Sequence, residues 1–286
     1  MAKDFLKLAK GRWLDLVWEV LSYFVLFVGA LIIITPFVWM LSTSFGTAET
    51  AFSLPPRWIP NFFNVRPYRQ LLEATPFLRY MWNSFKVSSL ITLGQLITCS
   101  TAAYAFARIR FRGRDFIFFL LLSSMMIPIQ VTVVPLFILM RGMGLYDTHA
   151  SLILPVTISA FGVFLLRQFF LTIPVELEEA ARIDGASYFT IYLRIVLPLS
   201  GSALSTLAVL CFLYFWNELF RPLIFLSSIE KYTIPLGLVM LRGQHDVGSP
   251  IRSMAAVTLA IIPAVIIFVL AQRYLVKGIT MTGLKE

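Results

Sequence analysis

Side chains able to do chemistry are few in this sequence, and they gather in two places. The first is the stretch from Pro174 to Pro198, PVELEEAARIDGASYFTIYLRIVLP, where Glu176, Glu178, Glu179 and Asp184 sit with Arg182 and Arg194 between two apolar runs. The second is Tyr214, Trp216, Asn217 and Glu218, followed by Arg221, at the end of an apolar run. Neither is catalytic in pattern: no His, Ser-Lys or paired-Asp constellation lies within the apolar runs. Two histidines, His149 and His245, and two cysteines, Cys99 and Cys211, are too scattered to hold a metal, and no Walker-type G-x-x-x-x-G-K-[ST] run is present to cradle ATP phosphates. The charges mark the first place as wet, and the second holds groups able to stack on and hydrogen-bond a polar solute.

The first place reads as two short helices joined at a glycine. Pro174 suits a first helical position, and Glu176, Glu178 and Glu179 complement the positive end of a helix dipole. Leu177, Ala180, Ala181 and Asp184 fall three or four apart on one face, where the two alanines admit another backbone closely. Gly185 is the natural left-handed stop. Ser187 caps a second helix, Tyr188 to Ile195, which Leu197-Pro198 is expected to end because the residue before a proline is pushed out of the α region.

These stretches must be positioned by a membrane. Among 286 residues 58% are hydrophobic and 14% charged, and mean hydropathy is +0.82, which excludes a soluble globular protein. The net charge of +9 is dispersed among the apolar runs, so no nucleic-acid face is formed. Uncharged or nearly uncharged runs predict spans at Val20 to Ala48, Val87 to Ala107, Phe116 to Met140, Ala150 to Leu166, Gly201 to Trp216 and Met254 to Gln272. The chain is thus expected to be an all-α polytopic membrane protein with a cytoplasmic segment 1–19 and a six-helix domain 20–286. Outer loops are expected at 49–86, with a short helix at Arg66 to Leu72, and at 227–252, and an inner loop at 174–198. Pro128 and Pro135 break the third span and leave carbonyls needing partners, with Gln130 beside them as either a path-lining group or an interhelical contact. The cluster Arg108, Arg110, Arg112 and Arg114 reads as a cytoplasmic anchor. Glu218 and Arg221, three apart, can neutralise each other, and ionisable groups at membrane depth are functional candidates by default. Trp216 and Asn217 either offer a stacking face and an amide to a sugar or form an interfacial helix end.

Orientation follows from the basic residues. With both termini in the cytoplasm, the inner segments hold 14 of the 24 Lys and Arg, so the positive-inside rule favours N-in and C-in. The 174–198 stretch then faces the cell interior.

Glu179-Ala180-Ala181, three residues, Gly185, nine residues, Ile195, one residue and Leu197-Pro198 resembles the EAA loop of ATP-binding-cassette (ABC) importer permeases. Further likeness to the second, MalG-like permease of maltose-type carbohydrate importers lies in Met126-Ile127-Pro128, Gly144-Leu145-Tyr146-Asp147, Leu152-Ile153-Leu154-Pro155, Trp216-Asn217-Glu218-Leu219, Tyr232-Thr233-Ile234-Pro235 and Gln272-Arg273-Tyr274. It covers most of the chain from about Asn83 onward. The terminal Ile279 to Gly283 departs from the Gly/Ala-rich tail common in that family.

The resemblance implies a type I ABC importer permease fold in the inner membrane of a prokaryote, importing a sugar or oligosaccharide. It assigns Glu179, Ala180, Ala181, Asp184, Gly185, Ile195, Leu197 and Pro198 to coupling, with Glu179 ion-paired to the ATPase. Gln130, Tyr214, Trp216, Asn217 and Glu218 are the candidates for the solute path. It implies a homologous MalF-like second permease, a dimer of ABC ATPase subunits carrying ATP and Mg²⁺, an extracytoplasmic solute-binding protein and surrounding lipid, with no cofactor in this chain. The alternatives are a permease for glycerol phosphate, polyamine or peptide, or a self-powered secondary transporter, which would want unpaired carboxylates deep in its spans.

Overall fold

A computed structural model of the chain describes residues 2–47, 58, 63–243 and 250–283, and every described element is helical. Most of the expected outer loop before Phe63, and His245 and Asp246, lie outside the described residues. The chain divides into two compact units, Met1–Leu71 with His245–Thr258, and Leu72–Gln244 with Leu259–Glu286.

In the first unit α1 is a single helix, Ala2–Ser44, whose stretch Asp15–Ser44 is long and apolar enough to span. It exposes apolar side chains from Leu16 to Leu41, as a helix with lipid or a protein neighbour for solvent would. At its end Ser44 Oγ shares a 2.6 Å hydrogen bond with the Tyr68 hydroxyl of α2, Arg66–Ala74, which is the short helix expected there.

The second unit holds α3 (Phe77–Arg108), α4 (Arg114–Ser123), α5 (Ile129–Gly142), α6 (Ala150–Ile153) and α7 (Ala160–Thr172). The chain continues through α8 (Val175–Ile183), α9 (Tyr188–Ile191), a π-helical turn Tyr192–Val196, α10 (Leu197–Leu199), α11 (Gly201–Trp216), α12 (Phe220–Phe225) and α13 (Ile234–Gly243). The last helix, α14, runs Pro250–Gly283 and contains Pro263. Among the described residues three helices are unbroken span candidates, and three bent pairs bring the set to six if each pair is one span: α4 with α5 at 100°, α6 with α7 at 42°, and Tyr188–Leu199 with α11 at 77°. Pro128 marks the sharpest break, where it leaves the helix as extended backbone, whereas Pro135 lies inside α5.

Three expected boundaries shift. The second span starts at Phe77, not Val87, because Asn83 and Ser84 are buried helix residues rather than loop residues. Asn83 Nδ2 donates to the carbonyls of Glu230 (2.8 Å) and Tyr232 (3.0 Å), and Ser84 Oγ accepts from the Ile234 amide (2.8 Å). The expected outer loop 227–252 contains a helix, α13. Leu197-Pro198 does not end the second helix of the inner loop: Leu197 is α-helical, at φ −60° and ψ −48°. The wide π turn just before Pro198 makes room for a ring that an ordinary helix would clash with.

Packing centres on α3, α7 and α11. Cys99, Ala103 and Tyr104 meet Val163, Leu166 and Phe170, with Ala203 and Leu207 closing the layer. Among spans surrounded by lipid, close packing rather than water exclusion does most of the work, so small residues set the spacing. A Cβ on Gly162 would lie 2.9 Å from Cys99 Sγ. Both cysteines are free and buried. The tightest site joins α13 to α3, where a Cβ on Gly237 would stand 2.7 Å from Cε2 of the buried Tyr80 ring. A flat ring held between helices has little room to yield. Gly237→Ala is therefore expected to cost about 1–3 kcal/mol and lower the thermal midpoint in detergent by roughly 2–12 °C. Gly142→Ala, with open space around it, is the control that should not fall.

A knot of polar contacts joins Gly144-Leu145-Tyr146-Asp147 to the segment after α12. Asp147 adopts φ 55°, a left-handed conformation that aspartate tolerates better than most residues. Its Oδ1 accepts from the amides of Ser227 (2.9 Å) and Ser228 (3.0 Å), and Oδ2 pairs with Lys231 Nζ at 2.9 Å. Partial burial alone would raise this carboxyl, but the hydrogen bonds from Ser228, Lys231 and Ser227 outweigh it and hold it well below the usual carboxylate range. His149 Nε2 lies 2.8 Å from the Lys231 carbonyl, and burial lowers its pKa.

Candidate functional site

The inner loop is a two-helix knob with distinct outer and inner faces. Helix α8 ends as the glycine dictates: Gly185 sits at φ 82°, its amide bonds the Arg182 carbonyl (3.0 Å), and the Ala186 amide bonds the Ala181 carbonyl (2.9 Å). This pair of bonds is a Schellman stop. Ser187 then caps α9, its Oγ accepting from the Thr190 amide at 3.2 Å, and the Arg182 guanidinium lies 4.8 Å from the centre of the Tyr188 ring.

Glu179, Ala180, Asp184, Gly185 and Pro198 are exposed, while Ala181, Ile195 and Leu197 are half-buried against the core. Glu179 makes no hydrogen bond or ion pair among the described residues. Around it Ile183 is 87% exposed, and Leu177 and Phe189 are exposed as well. The wedge therefore presents a free carboxylate beside apolar surface.

The residue next to Glu179 was missed. Glu178 is 5% exposed, and its Oε1 lies 2.7 Å from Arg108 Nε, a charge contact rather than an aligned hydrogen bond. Tyr104 donates its hydroxyl to Glu178 Oε2 at 3.4 Å. Within the expected cytoplasmic anchor of Arg108, Arg110, Arg112 and Arg114, Arg108 stands apart, because its side chain is nearly closed off. Arg108 Nη2 also donates to the carbonyls of Phe170 (2.7 Å) and Ile173 at the end of α7, where the Phe170 carbonyl already accepts the Ile173 amide at 3.2 Å. Sequence offered one signal, since Arg108 is the member of the cluster that terminates an apolar helix.

Four of the five path candidates gather elsewhere in the same unit. A cleft of about 660 Å³ is lined by Gln130 on α5 and by Tyr214, Asn217 and Glu218 around the end of α11, with Ile129, Leu213, Leu219 and Phe220 as its apolar wall. Trp216 is not among them. It is 3% exposed, donates Nε1 to the Ala260 carbonyl at 3.2 Å and stacks on Phe212, so it ties α11 to α14 rather than facing a solute.

Glu218 and Arg221 do pair, but across a helix break rather than on one helical face, since α11 stops at Trp216 and α12 starts at Phe220. Arg221 Nε and Nη2 donate to the two carboxylate oxygens, and the guanidinium lies 4.9 Å from the Phe215 ring centre. Arg221 is 2% exposed. Glu218 compensates its charge, its Nη1 stays without a partner among the described residues, and what the cleft meets is a carboxylate already compensated, a phenol and two amides. Asn217 also has a local role, donating Nδ2 to the Leu213 carbonyl at 2.8 Å.

Residues 95–281 match the family described as the binding-protein-dependent transport system inner membrane component. The chain belongs to that family. Among relatives of this inner membrane component, the sn-glycerol-3-phosphate transport system permease protein UgpE of Brucella abortus (strain 2308) is 34% identical over 272 residues. That match covers 92% of this chain and 96% of that protein. The arabinooligosaccharides transport system permease protein AraQ of Halalkalibacterium halodurans is 38% identical over 213 residues, covering 74% and 76%. A solved bacterial ABC transporter involved in the import of the acidic polysaccharide alginate superposes with a TM-score of 0.79 at 25% identity, covering 91% of this permease and 97% of that chain. The family matches the resemblance carried by Glu179-Ala180-Ala181 and Gly185, and it places the chain in the inner membrane as a transport permease.

Proposed function

We propose that this permease forms one wall of an ATP-driven importer of a neutral sugar or oligosaccharide. A second, homologous permease supplies the opposite wall. A dimer of ATPase subunits binding ATP and Mg²⁺ supplies the energy, and an extracytoplasmic solute-binding protein delivers the solute. The knob receives the push: ATPase closure moves the wedge, and the helices rock between inward-open and outward-open states, the general logic of alternating access. The N-in, C-in orientation puts the knob on the side where ATP is.

The observation that carries this reading is the two-faced build of the knob. Its outer face offers an unpaired Glu179 and exposed apolar side chains, and its inner face is fixed to the bundle. For the solute, support comes from the cleft lining. Gln130, Tyr214 and Asn217 can hydrogen-bond hydroxyls, and no cation stands among the residues lining it to attract a phosphate or uronate.

The test is uptake by membrane vesicles holding the complete assembly, offered arabinotriose, glycerol 3-phosphate and an alginate trisaccharide. ATP-dependent uptake of arabinotriose, with no competition from the two anions, is expected. Preference for either anion would overturn the neutral-solute reading, and uptake by this chain without an ATPase would overturn the whole. Asn217→Leu is expected to lower uptake about tenfold, the order of one lost hydrogen bond, while ATP hydrolysis continues. An unaltered uptake profile would leave Asn217 with its local bond to Leu213 alone.

A further inference from the structure

Helix α8 has nine residues, too few to be stable by itself, so its position depends on what holds it. Its one buried residue is a carboxylate, Glu178. Beside the half-buried Ala181, α8 is therefore attached through a charge, while the second half of the knob sets Ile191, Tyr192 and Val196 into the core. The guanidinium that receives Glu178 belongs to the last residue of α3, and the same group ties down the carbonyls of Phe170 and Ile173 at the end of α7. One arginine joins three elements. Two turns back along α3, Ser100 Oγ shares a 2.7 Å hydrogen bond with the hydroxyl of Tyr192, in the π turn that follows α9. Between them Tyr104 reaches Glu178 and lies 5.4 Å from the Tyr192 ring, centre to centre. Ser100, Tyr104 and Arg108 recur every four residues and so form one stripe, which fastens both halves of the knob to a single helix.

We propose that the Glu178–Arg108 pair is a strut: Glu178 is a positioning residue that makes the wedge and α3 move as one body. This rests on the reading of the knob as the ATPase contact. Apolar contacts let helices slide against one another, whereas separating a buried ion pair exposes two uncompensated charges, and removing one partner strands the other. A push on the exposed Glu179 face is passed to α3 and α7 through the adjacent buried carboxylate.

The experiment uses the assembled importer and the solute that the uptake panel identifies. Glu178→Gln keeps the shape and removes the charge. The ATPase subunits should still copurify at the wild-type ratio, because the Glu179 face is untouched, while ATP hydrolysed per solute imported rises more than tenfold. A merely structural role would lower hydrolysis and uptake together at an unchanged ratio, and that result overturns the strut. Glu178→Asp, which keeps the charge but shortens the reach, should give a smaller rise. Failure of Glu178→Gln, Glu178→Asp and Arg108→Lys all to accumulate would make the pair a folding element and equally overturn it. Glu179→Lys, measured in parallel, separates the two ideas. If it leaves ATPase association and uptake intact, the coupling reading of the knob falls. If it releases the ATPase while Glu178→Gln keeps a wild-type ratio, only the strut falls.

Discussion

Glu179→Lys should leave the chain folded and inserted, yet release the ATPase subunits and abolish uptake. Glu179 has no hydrogen bond or ion pair among the described residues, so the substitution removes nothing from the fold. What changes is the sign of the charge offered to a partner. Losing a desolvated interfacial charge pair costs about 3 kcal/mol, roughly a hundredfold in affinity, and a lysine facing a cation adds repulsion. Copurification with the ATPase and vesicle uptake should both fall at unchanged membrane abundance and unchanged thermal midpoint. Normal uptake would remove the ionic docking role from Glu179.

Gly185→Val should break coupling by a different route. A Cβ at Gly185 meets nothing within 4 Å, so space is not the difficulty. The backbone is: at φ 82° a β-branched residue is strained by about 1–3 kcal/mol, while asparagine tolerates that region. The Schellman stop then opens, and α8 loses its fixed angle to α9. Uptake should fall more than tenfold in Gly185→Val and remain near wild type in Gly185→Asn. Equal loss in both variants would point to contact with the glycine itself instead of to its conformation.

The spans were legible because lipid demands long uncharged runs, and the knob because Gly185 and Ser187 are local stop and start signals. Boundaries failed where the deciding partner is distant in sequence. Asn83 looks like a loop residue until Glu230 and Tyr232 supply its acceptors, about 150 positions away. Trp216 looks like a sugar platform until Ala260 takes its N–H. Glu178 and Glu179 are chemically identical neighbours, and only the roll of α8 decides which one meets Arg108 and which one meets the outside. Composition carries no record of that roll. The continuation through Leu197-Pro198 had a different cause, because a π turn is a local exception to the rule that predicted the stop.

The burial of Cys99 and Cys211 inside packed helices has a practical consequence. With both native thiols shielded, the chain is a quiet background for sulfhydryl reagents. A reporter cysteine placed at Ile183, the most exposed apolar position on the wedge, should react with an impermeant reagent only from the inner side of the membrane, with no need to strip the molecule of its own sulfur first.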